Sequence, residues 1–130
     1  IIPGGFGTAL NACTFALDGP DCTVDAGVER VIKAIYEADK PIGAMCIAPA
    51  LVAKVLANES LLLTIGSDEA TAAAIESLGH NHVITEVAEV VIDESHKIVT
   101  TAAYMLAGSI AEAADGITAL VEEVLELVGE

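Results

Sequence analysis

Along the middle of the chain, apolar positions switch repeatedly between a helical and an extended period. Val28, Val31, Ile32, Ile35 and Tyr36 recur at helical spacing and stop at Lys40-Pro41. They predict an amphipathic helix packed on a sheet, capped at its start by Thr23 or Asp25. "PIGAMC" is then a short apolar strand, "APALVAKVL" a helix, "LLLTI" a second strand and "DEATAAAIESLG" a helix that Gly79 closes. Strand and helix in alternation argue for parallel α/β layers. "EVVIDESHKIVTT" departs from this: two β-rich runs flank Asp93-Glu94-Ser95-His96, so a hairpin is expected. The final stretch "AAYMLAGSIAEAADGITALVEEVLELV" reads as one or two helices, divided near Gly116, with an acidic outer face. At the other end, "IIPGG" reads as a strand end turning through glycines, where absent side chains let backbone N–H groups face a pocket.

Composition narrows the possible partners. The 130 residues are 54% hydrophobic, which suits a single domain over 1–130 with a substantial core. Twenty acidic residues against five basic ones give a net charge of −15. Nucleic acid and an anionic membrane face are therefore excluded as partners, since nothing basic offsets the repulsion. No uncharged stretch reaches the ~20 apolar residues of a membrane span, so a soluble protein is expected. Three cysteines, with no signal-peptide pattern, fit a reducing compartment. A bridge between Cys13 and Cys22 is compatible with their spacing but not required by it. Because "IIPGGFG" opens on an apolar strand with no element before it, the sequence reads as the later part of a longer chain.

The chemistry centres on Cys46. A nucleophile elbow needs a strand that turns sharply into a helix, with small residues two positions before and after the exposed central residue; Ala44 and Ala48 occupy those places. Pro49 suits the first helical turn, where its missing N–H would be unpaired anyway. A cysteine at that helix N-terminus sits at the positive end of the dipole, which favours thiolate. Against this stands the ordinary role of free cysteine as a small core residue. Spacing alone leaves both readings open.

The strings "PGGFG", "GAMCIAPA", "LTIGSD", "KIVTTAAYMLA" and "IAEAADGI" closely resemble the ElbB-type proteins, named for isoprenoid or lycopene biosynthesis enhancement, of the PfpI-like, class I glutamine-amidotransferase-like superfamily. The resemblance covers essentially the whole chain. It implies a flavodoxin-like three-layer α/β sandwich with a mostly parallel sheet, here without its N-terminal part. It also implies a catalytic Cys46 and an oxyanion pocket made by the backbone N–H groups of Gly5 and Ile47. The implied activity is cofactor-independent and metal-free: glyoxalase-like conversion of glyoxal to glycolate, or deglycase action on glycated substrates. A homodimer is implied too, and a cytoplasmic location, or a mitochondrial one in a eukaryote. In the superfamily an acidic side chain from an N-terminal segment assists the cysteine, and the resemblance puts that segment ahead of Ile1. Ile47 stands where superfamily proteases and amidotransferases often carry histidine, which disfavours peptidase or amidase chemistry. Ala102 stands where close relatives carry proline. The alternative function is a redox or stress-responsive regulator with an oxidisable Cys46.

Other residues have simpler expected roles. His80 and His82, at i, i+2 spacing, could bind metal or assist Cys46, but solvated loop positions are expected. His96 is expected at the surface. Asp68 and Glu69 suit a helix N-cap and equally a place at the carboxyl edge of the sheet, where such sites form; Tyr104 and Met105 are expected to pack in the core, with the site or a dimer contact as the alternative, and Cys13 and Cys22 to be structural or peripheral. No phosphate-loop fingerprint is present, so a nucleotide cofactor is not expected.

Overall fold

The computed structural model describes residues 1–129. After a parallel bridge between Ile2 and Ala44, the chain makes a π-helical turn at Thr8–Ala12, a short helix α1 (Phe15–Asp18) and a 3₁₀ turn at Gly19–Asp21. Then follow α2 (Ala26–Glu37), β1 (Ile42–Met45), α3 (Ala48–Val55), β2 (Leu62–Gly66), α4 (Glu69–Ser77) and β3 (Asn81–Ile84). The hairpin strands β4 (Val90–Asp93) and β5 (Ile98–Thr101), a 3₁₀ turn at Ala103–Met105 and α5 (Ile110–Gly129) complete the described residues.

The cap of α2 is Asp25, whose Oδ1 accepts from Gly27 N–H at 3.0 Å and Val28 N–H at 3.1 Å. Ile32 is buried, and Val28, Ile35 and Tyr36 pack against the core. Val31, expected on that stripe, is instead 51% exposed. In β1, side chains alternate between two layers as a strand's period of two requires. Ile42 and Ala44 join α2 and α3 in one core cluster, while Met45 joins Leu120 and Val124 of α5 in the other. The strand order is β1-β5-β4, with β1 and β5 parallel and β4 antiparallel to β5; β2 and β3 form a second, parallel pair. The result is the expected α/β architecture, a flavodoxin-like layering with two of its three strand pairings parallel.

β2 meets the three-stranded sheet through side chains rather than a backbone ladder. Leu62 N–H donates to Asp93 Oδ2 at 2.8 Å, and Thr64 N–H to Thr100 Oγ1 at 3.0 Å. On its other edge the register with β3 shifts between Leu63 and Gly66, and histidine side chains accept the N–H groups left over. Leu61 N–H donates to His80 Nδ1 and Ile65 N–H to His82 Nε2, both at 3.1 Å.

Three expectations need correction. His82, expected at a solvated loop position, lies in strand β3 (Asn81–Ile84). The hairpin turn lies one residue later than expected, over 94–97, with Lys97 at φ 56°. Gly116 does not divide the last helix, which runs unbroken. A Cβ there would lie 2.8 Å from Val87 O and 2.9 Å from Thr101 Oγ1, so this glycine allows close approach rather than a break.

Candidate functional site around Cys46

Cys46 is the single residue between the end of β1 and Ile47, which opens α3. Its backbone is left-handed, at φ 61°, a conformation that disfavours residues with a Cβ. Its N–H donates to Thr101 O at 3.0 Å, so the last residue of β5 holds the turn in place. Ala44 and Ala48 are both fully buried, where larger side chains would collide with the bend. Pro49 sits in the first turn of α3, as expected, and no side chain caps that helix start.

The glycine turn packs directly on the cysteine. A Cβ placed on Gly4 would come within 2.5 Å of Cys46 Cβ and 3.1 Å of its Sγ. Gly4 is thus the residue that lets the two segments touch. Gly5 adopts φ +106° and is exposed. Together they bring Gly5, Cys46 and Ile47 to one cavity of about 380 Å³, whose other walls are Phe6, Ala9, Phe15, Ala16 and Met105. Cys46 is only partly buried and lines this cavity. Cys46 is also the only ionisable side chain among the lining residues.

Sequence reasoning named Cys46, Gly5 and Ile47, and the structure brings all three together. It missed Gly4 and the wall from Phe6, Ala9, Phe15 and Ala16. The exposed aromatic in "GGFG" and the apolar run "TFAL" were the available signals. Met105 packs against the core and also lines the cavity, while Tyr104, expected in the core, is 59% exposed.

The histidines lie elsewhere and are structural. His80 is 5% exposed; because its Nδ1 accepts from Leu61 N–H, its Nε2 carries the proton and donates to Ala53 O at 2.8 Å. Burial holds the pKa of His80 and of His82 below the ordinary histidine value. Both were expected to be solvated, and both instead tie β2 into the fold. His96 is half-buried, with Nδ1 2.9 Å from Asp93 Oδ2 and its ring stacked on Tyr36 at 6.2 Å. Asp68 caps α4, accepting from Thr71 N–H at 3.0 Å and Thr71 Oγ1 at 2.6 Å. These hydrogen bonds lower its pKa. Among the described residues no group of three or more His, Cys, Asp or Glu could hold a metal ion. Nor is any helix there long and apolar enough to cross a membrane.

The architecture matches a solved structure closely. The chain superposes on the crystal structure of an isoprenoid biosynthesis protein with amidotransferase-like domain from Ehrlichia chaffeensis with a TM-score of 0.84 and 28% identity, over 96% of this chain and 56% of that one. The fold is thus shared with that amidotransferase-like protein. In sequence, the whole chain is 46% identical to human glutamine amidotransferase-like class 1 domain-containing protein 3, mitochondrial, covering 51% of it. It is 44% identical to the rat ES1 protein homolog, mitochondrial, covering 52%. The chain therefore spans about half the length of these curated relatives. No protein-family model matches it.

Proposed function

We propose that the chain carries the nucleophilic half of an ElbB-type enzyme that acts on small reactive dicarbonyls or their adducts, through Cys46 and without a cofactor. One observation carries the reading: a cysteine in a left-handed turn lines a cavity together with Gly5 and Ile47. The sulfur adds to an aldehyde carbon of glyoxal, and the carbonyl oxygen takes up negative charge near those two amides. Protonation gives a hemithioacetal. A proton then leaves the carbon bonded to sulfur and another is delivered to the neighbouring carbon, which converts the adduct to a thioester of glycolate. Water releases glycolate and restores the thiol. The base that carries the proton is not among the eight lining residues; a carboxylate from outside this cavity, or water, must supply it. Peptidase or amidase chemistry is disfavoured by Ile47, which offers no imidazole beside the sulfur.

Two further features support assembly and setting. Phe6 and Leu17, 80% and 73% exposed, present apolar surface beside the cavity, as a homodimer contact would. The mitochondrial names of the human and rat relatives support that organelle rather than the cytoplasm for a eukaryotic source.

The test is Cys46→Ala in the full natural chain. Glycolate formation from glyoxal, followed by chromatography, should fall to the uncatalysed rate while the circular dichroism spectrum is unchanged. Undiminished turnover in a folded variant sinks the assignment.

A further inference from the structure

Two sulfurs lie outside the Cys46 site. Cys13 follows the π-helical turn and Cys22 follows the Gly19–Asp21 turn, and they are 2% and 3% exposed. Between them the chain doubles back. Cys13 forms an antiparallel bridge with Val24, Thr14 N–H donates to Thr23 O at 2.9 Å, and Asp25 N–H donates to Ala12 O at 2.8 Å. Residues two apart on a strand share a face. Cys22 therefore shares the face of Val24 and of Cys13, one diagonal step away. Both thiols belong to one buried core cluster, with Cys13 Sγ donating to Thr8 O at 3.5 Å; burial raises the Cys22 pKa first, and the nearby Cys13 thiol raises it further. With no third ligand-type side chain grouped beside them among the described residues, a metal centre is not the reason for the pairing.

The segment between these cysteines carries Phe15 and Ala16 of the Cys46 cavity, and Ala9 lies just before Cys13. Lys54, near the end of the helix that begins after Cys46, donates to Pro20 O at 2.8 Å. The paired thiols thus sit at the base of the cavity wall.

We propose that Cys13 and Cys22 are a reversible redox modification site, closed to a disulfide by a two-electron oxidant such as hydrogen peroxide, and that this bond staples the wall of the Cys46 cavity. One sulfur attacks a peroxide oxygen, the O–O bond breaks, and water leaves behind a sulfenic acid. The second sulfur attacks that sulfur and displaces a second water. Two thiols and one peroxide give one disulfide and two waters, and a dithiol reductant reverses the change. Diagonal strand neighbours stand farther apart than a relaxed disulfide requires, so closure draws the two segments together by on the order of 1 Å. Because the loop they close is short and carries the wall, that movement is passed to Phe15 and Ala16. Burial makes the reaction wait on a local opening of the loop, so it follows oxidation of the more exposed Cys46.

The experiment treats the full natural chain with graded hydrogen peroxide, alkylates it after denaturation, and maps tryptic peptides. The peptide ending at Arg30 holds both Cys13 and Cys22, and Cys46 falls on another. The expected result is joint loss of both alkylation sites from the first peptide, reversed by dithiothreitol. With it come a rise in Tm of about 5 °C and slowing of amide exchange across residues 8–18 by about threefold or more. Cys13→Ala should remove all three effects; if that variant fails to fold, the wild-type measurements decide alone. Full alkylation of Cys13 and Cys22 after Cys46 is oxidised overturns the proposal, as does a disulfide that includes Cys46. A Cys13–Cys22 bond that leaves exchange across the wall unchanged overturns the stapling.

Discussion

The ends of β1 and β2 are two solutions to one problem. Each is a parallel strand that bends into a helix, the two helices pack on each other, and each bend contains a residue with positive φ. At the end of β2 that residue is Gly66, at φ +105°, and Asp68 then caps α4 with its side chain. At the end of β1 it is Cys46, at φ 61°, and α3 starts without a side-chain cap. The β2 turn uses the residues that stability favours: glycine where a Cβ is disfavoured, aspartate where amides need a partner. The β1 turn departs from both choices at the place where the chain carries a thiol facing a cavity. Local rules broken on one turn and kept on its twin support the proposed site at Cys46.

The glycines that shape these turns give the largest expected effects. Gly4→Ala would place a Cβ 2.5 Å from Cys46 Cβ and 3.0 Å from Met45 O. Since both are tied to the β1 bend, the backbone must move, at a cost of about 3 kcal/mol. Urea unfolding of the full natural chain should register that loss, and iodoacetamide should react with Cys46 at an altered rate. Gly66→Ala meets Leu106 Cγ at 3.0 Å and Ala102 Cβ at 3.2 Å in a backbone region that L residues rarely enter. The expected loss is about 2–3 kcal/mol, but with the Cys46 alkylation rate unchanged. Equal effects of both substitutions on Cys46 would erase the distinction between the turns.

The β2 side should also respond to acid through its histidines. His80 and His82 accept backbone N–H groups of β2, and protonation removes the accepting lone pair. Their folded pKa values lie below the unfolded value of about 6.5, so the unfolded chain binds more protons between the two. Their contribution is fully present above about pH 6.5 and is lost as pH falls towards the folded values, by up to about 1.4 kcal/mol per pH unit for each histidine. Urea midpoints between pH 7 and 5 should decline, and His80→Gln should flatten part of that slope. A slope unaffected by replacing His80 would mean that the carboxylates alone set the acid response.

What was legible in the sequence follows from which signals are local. Helices α2, α3 and α4 and strands β1 and β2 announce themselves by period and punctuation, and the elbow by alanines two positions either side of Cys46. Strand β3 was not legible, because "NHVI" is short and half polar, and its partner strand is finished by histidine side chains rather than a full ladder. Gly116 misled for a similar reason: a glycine that admits a neighbouring backbone has the same letter as one that ends a helix. The cavity wall from residues 6–16 rests on an irregular π-helical turn and on contacts with Cys46 some thirty positions away, which no periodicity encodes. The resemblance in sequence pointed to Cys46, Gly5 and Ile47, which line one cavity. It carried nothing about the Cys13–Cys22 pairing, which depends on a diagonal step across a short bridge.

The smallest predicted effect tests the comparison most directly, because the same glycine–alanine difference can be read at the positive-φ residue of each turn. Cys46→Ala keeps a Cβ at φ 61°, whereas Cys46→Gly removes it; both remove the sulfur and so share any loss of contacts made by Sγ. Against this, glycine adds freedom to the unfolded chain, which offsets part of the gain. A left-handed residue with a Cβ carries roughly 1–2 kcal/mol of strain, so Cys46→Gly should be more stable than Cys46→Ala by about 1 kcal/mol. At Gly66 the same exchange, from glycine to alanine, should be destabilising by more, because crowding from Leu106 adds to the backbone term. Urea midpoints for the two Cys46 variants, measured at one pH, decide the matter. If Cys46→Gly is the less stable of the pair, the β1 bend holds no strain at its cysteine, and the contrast between a turn built for stability and a turn built for chemistry fails.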